Sequence, residues 1–385
     1  MPFRFWAAVL SLHLSRPSID LRRMRVRLPA VWRFRRALRR LRRTLAYLIY
    51  LTGALALWRR RPSSRPTPVI LMYHSIGGVG LSPDIVVSTS NFHAHIDHLR
   101  KHYRLASLDE IVRLLQSGRE VPPDTVAVTF DDGYRDNFEN AFPILQRYKC
   151  PATLFIAVEP VDHAHLLWPQ VIWNWLHHTS VDEVRISWRN RNQSKAADTV
   201  LDLRDHAAHA RARSWLRAFV GGLEPEDRAD LLALLSRQLR VSGDGQQTDR
   251  SPMLTWGEIR RMREAGVTIG SHSMTHPRLS GLDLHLVHDE VFQSRTRLES
   301  ELGTSVHLFA YPFGRQDDFD ERSKLAVRQA GYHAACIAED TTPSAAADLL
   351  ALPRLYVRDD PGWRFAVRLL LTTRDSRFLR WLFDS

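Results

Sequence analysis

From Pro68 to Leu355 the chain alternates short apolar runs with segments whose apolar residues recur every three or four positions. Val69–Tyr73, Thr125–Phe130, Ala152–Ala157, Val267–Ile269, Val306–Ala310 and Tyr332–Ile337 read as buried strands. After the capping-box pattern Ser107–Glu110, residues Leu108, Ile111, Val112 and Leu115 predict a helix that ends before Gly118. Phe138–Tyr148, Trp256–Ala265, His285–Leu302 and Arg322–Ala330 predict further helices. Strands alternating with helices imply a parallel sheet or an α/β barrel, with any site at the C-terminal ends of the strands.

Residues 161–251 break this rhythm. They hold Trp168, Trp173, Trp175 and Trp188, then helical periods at Ala207–Phe219 and Glu226–Leu239, with an exit loop from Gly243 to Thr248. The segment reads as a mostly helical insertion between two barrel strands. Packing against the barrel is the first expectation for its aromatic residues, and lining a ligand cleft is the alternative. The expected organisation is therefore an N-terminal segment 1–66, a barrel domain 67–360 containing the insertion 161–251, and a helical tail 361–385.

Charge separates the first of these from the rest. The 385-residue chain has a net charge of +12. Residues 1–66 hold 17 Arg, no Lys and one acid, Asp20, for +16, which leaves the remainder at −4. The basicity thus gives the body no support as a nucleic-acid binder. An apolar run, 44–58, lies between Arg-rich flanks and is followed by the linker-like Arg61–Pro68. Its fifteen residues would span roughly 22 Å as a helix, short of the ~30 Å hydrocarbon core. Three arrangements fit: a short anchor with its Arg-rich side cytoplasmic, a helix lying in the membrane interface, or a leader upstream of a true start at Met24. Membrane association is the expectation. Only Cys150 and Cys336 are present, which excludes a disulfide framework and a Cys-rich zinc module.

Three strand exits carry candidate chemistry. The run Val126–Tyr134 ends in Asp131-Asp132-Gly133; adjacent acids leaving an apolar strand are costly unless paired, solvated or bound to a cation. Their side chains diverge, so one can face a metal and the other its water, although Asp-Asp-Gly also makes an ordinary capped turn. Gly270–Pro277 places His272 and His276 four apart, able to converge on one ion in a helix or tight turn. With 18 His in the chain, that spacing alone is weak. In Phe309–Gly314, Pro312 and Gly314 fix a loop and leave a backbone N–H free to point inward, as an oxyanion site needs; aromatic packing explains the loop equally well.

Taken in order, Thr129–Tyr134, His272–Pro277 and Phe309–Gly314 resemble the first three motifs of the polysaccharide deacetylase family (NodB homology, carbohydrate esterase family 4). Leu71–Ile76 is similar to the permuted members that act on poly-N-acetylglucosamine. The resemblance spans about residues 68–357 without most of the insertion. It implies a distorted (β/α) barrel, hence an α/β fold, and a divalent metal, most often Zn2+, held by Asp132, His272 and His276. It further implies Asp131 as general base and the Phe313 N–H as oxyanion donor. No His follows Arg354, where ordinary members place the general acid, so the permuted pattern makes His74 the candidate. His307 and Ala310 stand where many members have Arg; Arg354, in Leu352–Leu355, is the candidate cation for Asp131.

The implied activity is removal of N-acetyl groups from amino sugars of a polysaccharide or lipid-linked glycan. An O-acetyl esterase, a deformylase or an inactive carbohydrate-binding protein on the same fold are the alternatives. The partners expected are an N-acetylated glycan and a membrane, without nucleic acid, in a bacterial cell envelope.

Overall fold

The structure, a computed structural model, describes residues 68–191, 193–241, 252–343 and 348–373. The basic segment 1–66 with its run 44–58, the loop Gly243–Thr248 and residues 374–385 of the tail lie outside the described residues.

Eight strands form the barrel wall: β1 (Val69–Tyr73), β2 (Thr125–Phe130), β3 (Ala152–Ile156), β4 (Thr268–Ser271), β5 (Leu308–Ala310), β6 (Ala334–Ile337), β7 (Leu352–Pro353) and β8 (Leu355–Tyr356). They lie in the order β8-β1-β2-β3-β4-β5-β6-β7, and every pairing between them is parallel. Every residue of β1, β2 and β3 is buried, which is why these strands read as unbroken apolar runs rather than alternating ones. A short strand, Arg104–Leu105, adds to β2.

Closure depends on one stretch of chain. Cys336 pairs with Leu352 on one side, and Leu71 pairs with Leu355 on the other. The segment from Leu352 to Tyr356 therefore crosses the gap between the last and first strands of the sheet. Arg354 sits in the middle of that crossing.

Helices cover the outside, and local chemistry sets their ends. Ser107 Oγ accepts from Glu110 N at 3.1 Å to start Leu108–Gln116, and Thr255 with Glu258 makes a reciprocal capping box before Trp256–Glu264. The segment after β2 departs from the uniform helix expected of it. Asn137–Ala141 is a π turn, and the α-helix begins only at Phe142–Tyr148. Pro143 has no N–H for the carbonyl four residues back and its ring crowds that group, so the preceding turn widens. Thr89–His102 is a helix capped by Ser88 that buries Phe92, Ile96 and Leu99.

The inserted region contains more than helices. Beside Trp168–His178, His206–Gly221 and Pro225–Gln238 it carries an antiparallel hairpin, Glu183–Arg189 with Ala196–Asp202. In the hairpin Val184 and Ile186 alternate with exposed Glu183, Arg185 and Ser187, a period of two that marks a half-covered strand. These elements build their own apolar cluster around Leu216, Leu231 and Leu235, and Phe313 of the barrel packs against it. The tail contributes the Gly362–Thr373 helix, whose Phe365 and Leu369 join the main core. Among the described residues no helix is long and apolar enough to cross a membrane.

Candidate functional site

At the exit of β2 the backbone stays tied to β1, with Asp131 N donating to Tyr73 O at 3.0 Å. It then turns sharply, with Asp132 at φ 77° and Gly133 at φ 90°. Across this turn the two acids meet different partners.

Asp131 meets Arg354. The guanidinium donates Nη1 to Oδ1 at 2.6 Å and Nη2 to Oδ2 at 2.7 Å, a bidentate pair in which both residues are buried. Arg354 Nη1 also donates to Thr129 Oγ1 at 3.2 Å, whose own hydroxyl donates to Leu71 O at 2.8 Å. Burial pushes the Asp131 carboxyl up. Arg354, with His272 and His74, outweighs that and holds it below the usual carboxylate range.

Asp132 meets the two histidines. Its Oδ1 lies 3.5 Å from His272 Nε2 and 3.4 Å from His276 Nε2, and the three ligand atoms all fall within 4.8 Å of one another. His272 Nδ1 lies 2.7 Å from Ala310 O, which fixes the proton on Nδ1 and turns the Nε2 lone pair inward. Burial pushes the His272 imidazole down to about 4, so it is neutral at pH 7. Asp132 Oδ1 is buried and has no hydrogen-bond partner among the described residues. An orphaned carboxylate oxygen facing two imidazole nitrogens fits a divalent cation, and one carboxylate with two imidazoles suits zinc and its first-row neighbours.

The histidines converge through a tight turn rather than a helix. Ser273 at φ 67° and His276 at φ 59° bend the chain directly after β4. Val158 N and Glu159 N donate to Ser273 O at 3.3 Å and Met274 O at 2.9 Å, and three side chains add to their hold on that bend. Glu290, from the Leu284–Leu302 helix, accepts from Met274 N at 2.9 Å and Thr275 N at 2.8 Å. Arg228, buried on the inserted Pro225–Gln238 helix, donates to Thr275 O at 2.8 Å and Thr275 Oγ1 at 2.9 Å. Trp168 donates its indole N–H to His276 O at 3.0 Å. Trp168 thus also touches the site, beyond the simple packing expected of the insertion's aromatic residues. Arg228 and Glu290 carried no signal in the sequence beyond being charged residues on helical stretches.

Phe313 lies at φ 61°, its ring 4.7 Å from that of His276 and 5.8 Å from Trp168, with the Arg217 guanidinium 4.8 Å over its face. Gly314, at φ 67°, follows, where a Cβ would stand 2.7 Å from Ala338 N. His74, half-buried after β1, stands near enough to Asp131 and Asp132 to lower both carboxyls, and its ring is 5.7 Å from Tyr356. The structure thus brings Asp131, Asp132, His272, His276, His74, Phe313 and Arg354 to one end of the barrel. His307 lies apart, stacked on His333 at the start of its strand.

With this geometry in view, the similarities to known proteins are specific. A family model described as polysaccharide deacetylase matches residues 118–185 and 237–335. The unmatched 186–236 covers most of the hairpin and inserted helices, and His74 and Arg354 fall outside the match as well. YxkH of Bacillus subtilis (strain 168), whose name carries the words polysaccharide deacetylase, is 22% identical over 303 residues, 78% of this chain and 74% of that protein. The poly-beta-1,6-N-acetyl-D-glucosamine N-deacetylase of Staphylococcus aureus (strain MSSA476) is 39% identical over 71 residues, 18% of this chain and 24% of its own length. Among solved structures, the Streptococcus pyogenes deacetylase PplD in complex with acetate is similar with a TM-score of 0.52 and 18% identity, over 81% of this chain and 100% of that one. At that identity the likeness is one of fold.

Proposed function

The chain belongs to the polysaccharide deacetylase family, and from that premise we propose that it is a metal-dependent amidase that removes acetyl groups from the nitrogen of amino-sugar residues in a glycan. One observation carries the reading: a buried Asp132–His272–His276 triangle lies beside a second buried acid, Asp131, held ionised by Arg354. The name of the staphylococcal relative, which acts on an N-acetylated polymer, favours N-acetyl over O-acetyl or formyl substrates.

Asp132, His272 and His276 would hold the metal through Oδ1 and the two Nε2 atoms. Bound there, a zinc ion supplies Lewis acidity that polarises the amide carbonyl and acidifies water. Asp131 takes the proton of the attacking water. Its bond to Arg354 keeps the carboxylate charged and fixed, and each oxygen still has a lone pair for that proton. The Phe313 N–H would serve as donor to the oxygen on which negative charge develops. His74 delivers a proton to the departing nitrogen, without which an amine is a poor leaving group.

The test is zinc stoichiometry on the chelated and re-titrated full chain, wild type beside His276→Ala, followed by acetate release from N-acetylglucosamine oligomers. One tight ion per chain, lost in the variant, together with acetate release supports the reading. Absence of a tight ion in folded wild type overturns it. Location at a membrane of the cell envelope rests on the composition of residues 1–66. Fractionating the full chain beside a chain starting at residue 67 tests it.

A further inference from the structure

Asp136 and Asn137, just past the paired acids, have no part in the chemistry above, yet they are built around His74. Asp136 Oδ2 accepts from Ser75 Oγ at 2.6 Å, and its Oδ1 accepts from Ile76 N at 2.7 Å and Asn137 Nδ2 at 2.9 Å. Asn137 Nδ2 also donates to the carbonyl of His74 at 2.7 Å, and Asn140 Nδ2 donates to that of Ile76 at 2.7 Å. Asp136 and the π turn that follows it therefore grip the backbone or side chain of residues 74, 75 and 76 in succession. The chain continues over the carboxylate so closely that a Cβ on Gly78 would stand 2.4 Å from Asp136 Oδ2 and 2.3 Å from Ser75 Oγ.

This arrangement is expensive. Burial pushes the Asp136 carboxyl up to about 6, against the pull of its hydrogen bonds. Among the described residues no Lys or Arg pairs with it. A buried acid without a cation persists where its hydrogen bonds are needed. Among the described residues the His74 ring has one ring neighbour, Tyr356 at 5.7 Å, so the backbone that carries it is the other handle on its aim. Single π turns are frequent at functional sites.

We propose that Asp136, acting with Asn137 on the His74–Ile76 backbone, is the positioning residue that aims His74 at the departing nitrogen. The inference rests on the reading of His74 as proton donor, and its experiment separates the two.

The zinc-loaded full chain is compared as wild type, Asp136→Ala, Asp136→Asn, His74→Ala and the Asp136→Ala/His74→Ala pair. The readouts are kcat/KM for acetate release from an N-acetylglucosamine oligomer and zinc stoichiometry. Asp136→Ala is expected to lower kcat/KM by roughly 10- to 100-fold with one zinc retained. Asp136→Asn, which keeps one acceptor oxygen, should fall between. The double variant should be no slower than His74→Ala, because a residue that acts through His74 has nothing left to act on. With 4-nitrophenyl acetate, whose leaving group departs without a proton, the Asp136→Ala deficit should shrink. Independent losses that multiply in the double variant, or equal deficits on both substrates, would overturn the proposal. If wild type binds zinc and releases no acetate, the deacetylase reading falls. The positioning claim is then read from the ring resonances of His74 in 15N-labelled protein: movement in Asp136→Ala supports it, and unchanged resonances refute it.

Discussion

Arg354→Met removes the one cation that, among the described residues, pairs with Asp131, while keeping an unbranched stem against Phe155, over whose ring the guanidinium lies at 5.3 Å. The change leaves a carboxylate in the barrel wall with its bidentate partner gone and Thr129 Oγ1 short of a donor. Removing one member of a buried ion pair costs roughly 3–5 kcal/mol when the survivor stays charged. Over about 300 residues, with an unfolding entropy near 2 cal/mol/K per residue, that is a fall in Tm of about 5–8 °C.

The pH dependence distinguishes this account from simple loss of packing. In wild type the Asp131 carboxyl is held low, so its pairing stabilises the fold above the unfolded carboxyl pKa of about 3.9, and that contribution is lost as pH falls through the folded value. Burial is already the strongest single influence on Asp131, and without Arg354 it is no longer outweighed, so the pKa rises. The variant then loses stability as pH rises and the buried acid is forced to ionise. The gap in Tm between the two proteins should therefore widen from pH 4.5 toward neutrality, measured by circular dichroism on chelated samples. A gap equal at every pH, or below about 2 °C at pH 7, refutes the argument. In zinc-loaded enzyme the same shift should move the acid limb of kcat/KM to higher pH.

Three further outcomes follow from the geometry. Arg228→Met and Trp168→Phe each remove donors from the His272–His276 turn and should weaken zinc binding by roughly 10- to 100-fold in a competition titration with a chelator, though neither residue touches the ion. Gly314→Ala must place a Cβ against Ala338 N at positive φ and should cost about 1–3 kcal/mol in denaturant unfolding while depressing acetate release by displacing Phe313. Cys150 and Cys336, buried and pushed up to about 12, should resist a thiol reagent at pH 8 in the native protein and react in urea.

The alternation of strands and helices was readable because fully buried parallel strands leave uninterrupted apolar runs, as in Thr125–Phe130, and because caps such as Ser107 and Thr255 are local events. The hairpin Glu183–Arg189 with Ala196–Asp202 carries its alternation in the sequence, but over only a few residues, flanked by four tryptophans and two long helical periods that give the stronger local signal. The helix Thr89–His102 also had its signal in Phe92, Ile96 and Leu99, at helical spacing. Site residues divide along the same line. Asp131, Asp132, His272 and His276 sit at strand exits, where a charged residue after an apolar run is conspicuous. Arg228 and Glu290 act across 47 and 15 residues of sequence, and nothing local distinguishes them from solvated helix charges.

That division has a physical basis in where the backbone is strained. Asp132, Ser273, His276 and Phe313 all lie at positive φ without being glycine. Each costs on the order of 1–3 kcal/mol that its own side chain does not return. Strain of that size persists only where surrounding contacts fix the conformation, and those contacts are the long-range ones: Arg228 and Trp168 from the insertion, Glu290 from a flanking helix, and the Gly314 approach to Ala338. The insertion thus does more than decorate the barrel. Its removal would leave the C-terminal half of the His272–His276 turn, at Thr275 and His276, without Arg228 and Trp168, held by Glu290 and by the backbone bonds of Val158 and Glu159 to Ser273 and Met274, and freer to spread the three ligand atoms apart. Metal affinity should then fall further than for Arg228→Met or Trp168→Phe singly, and a double variant of the two should approach that limit.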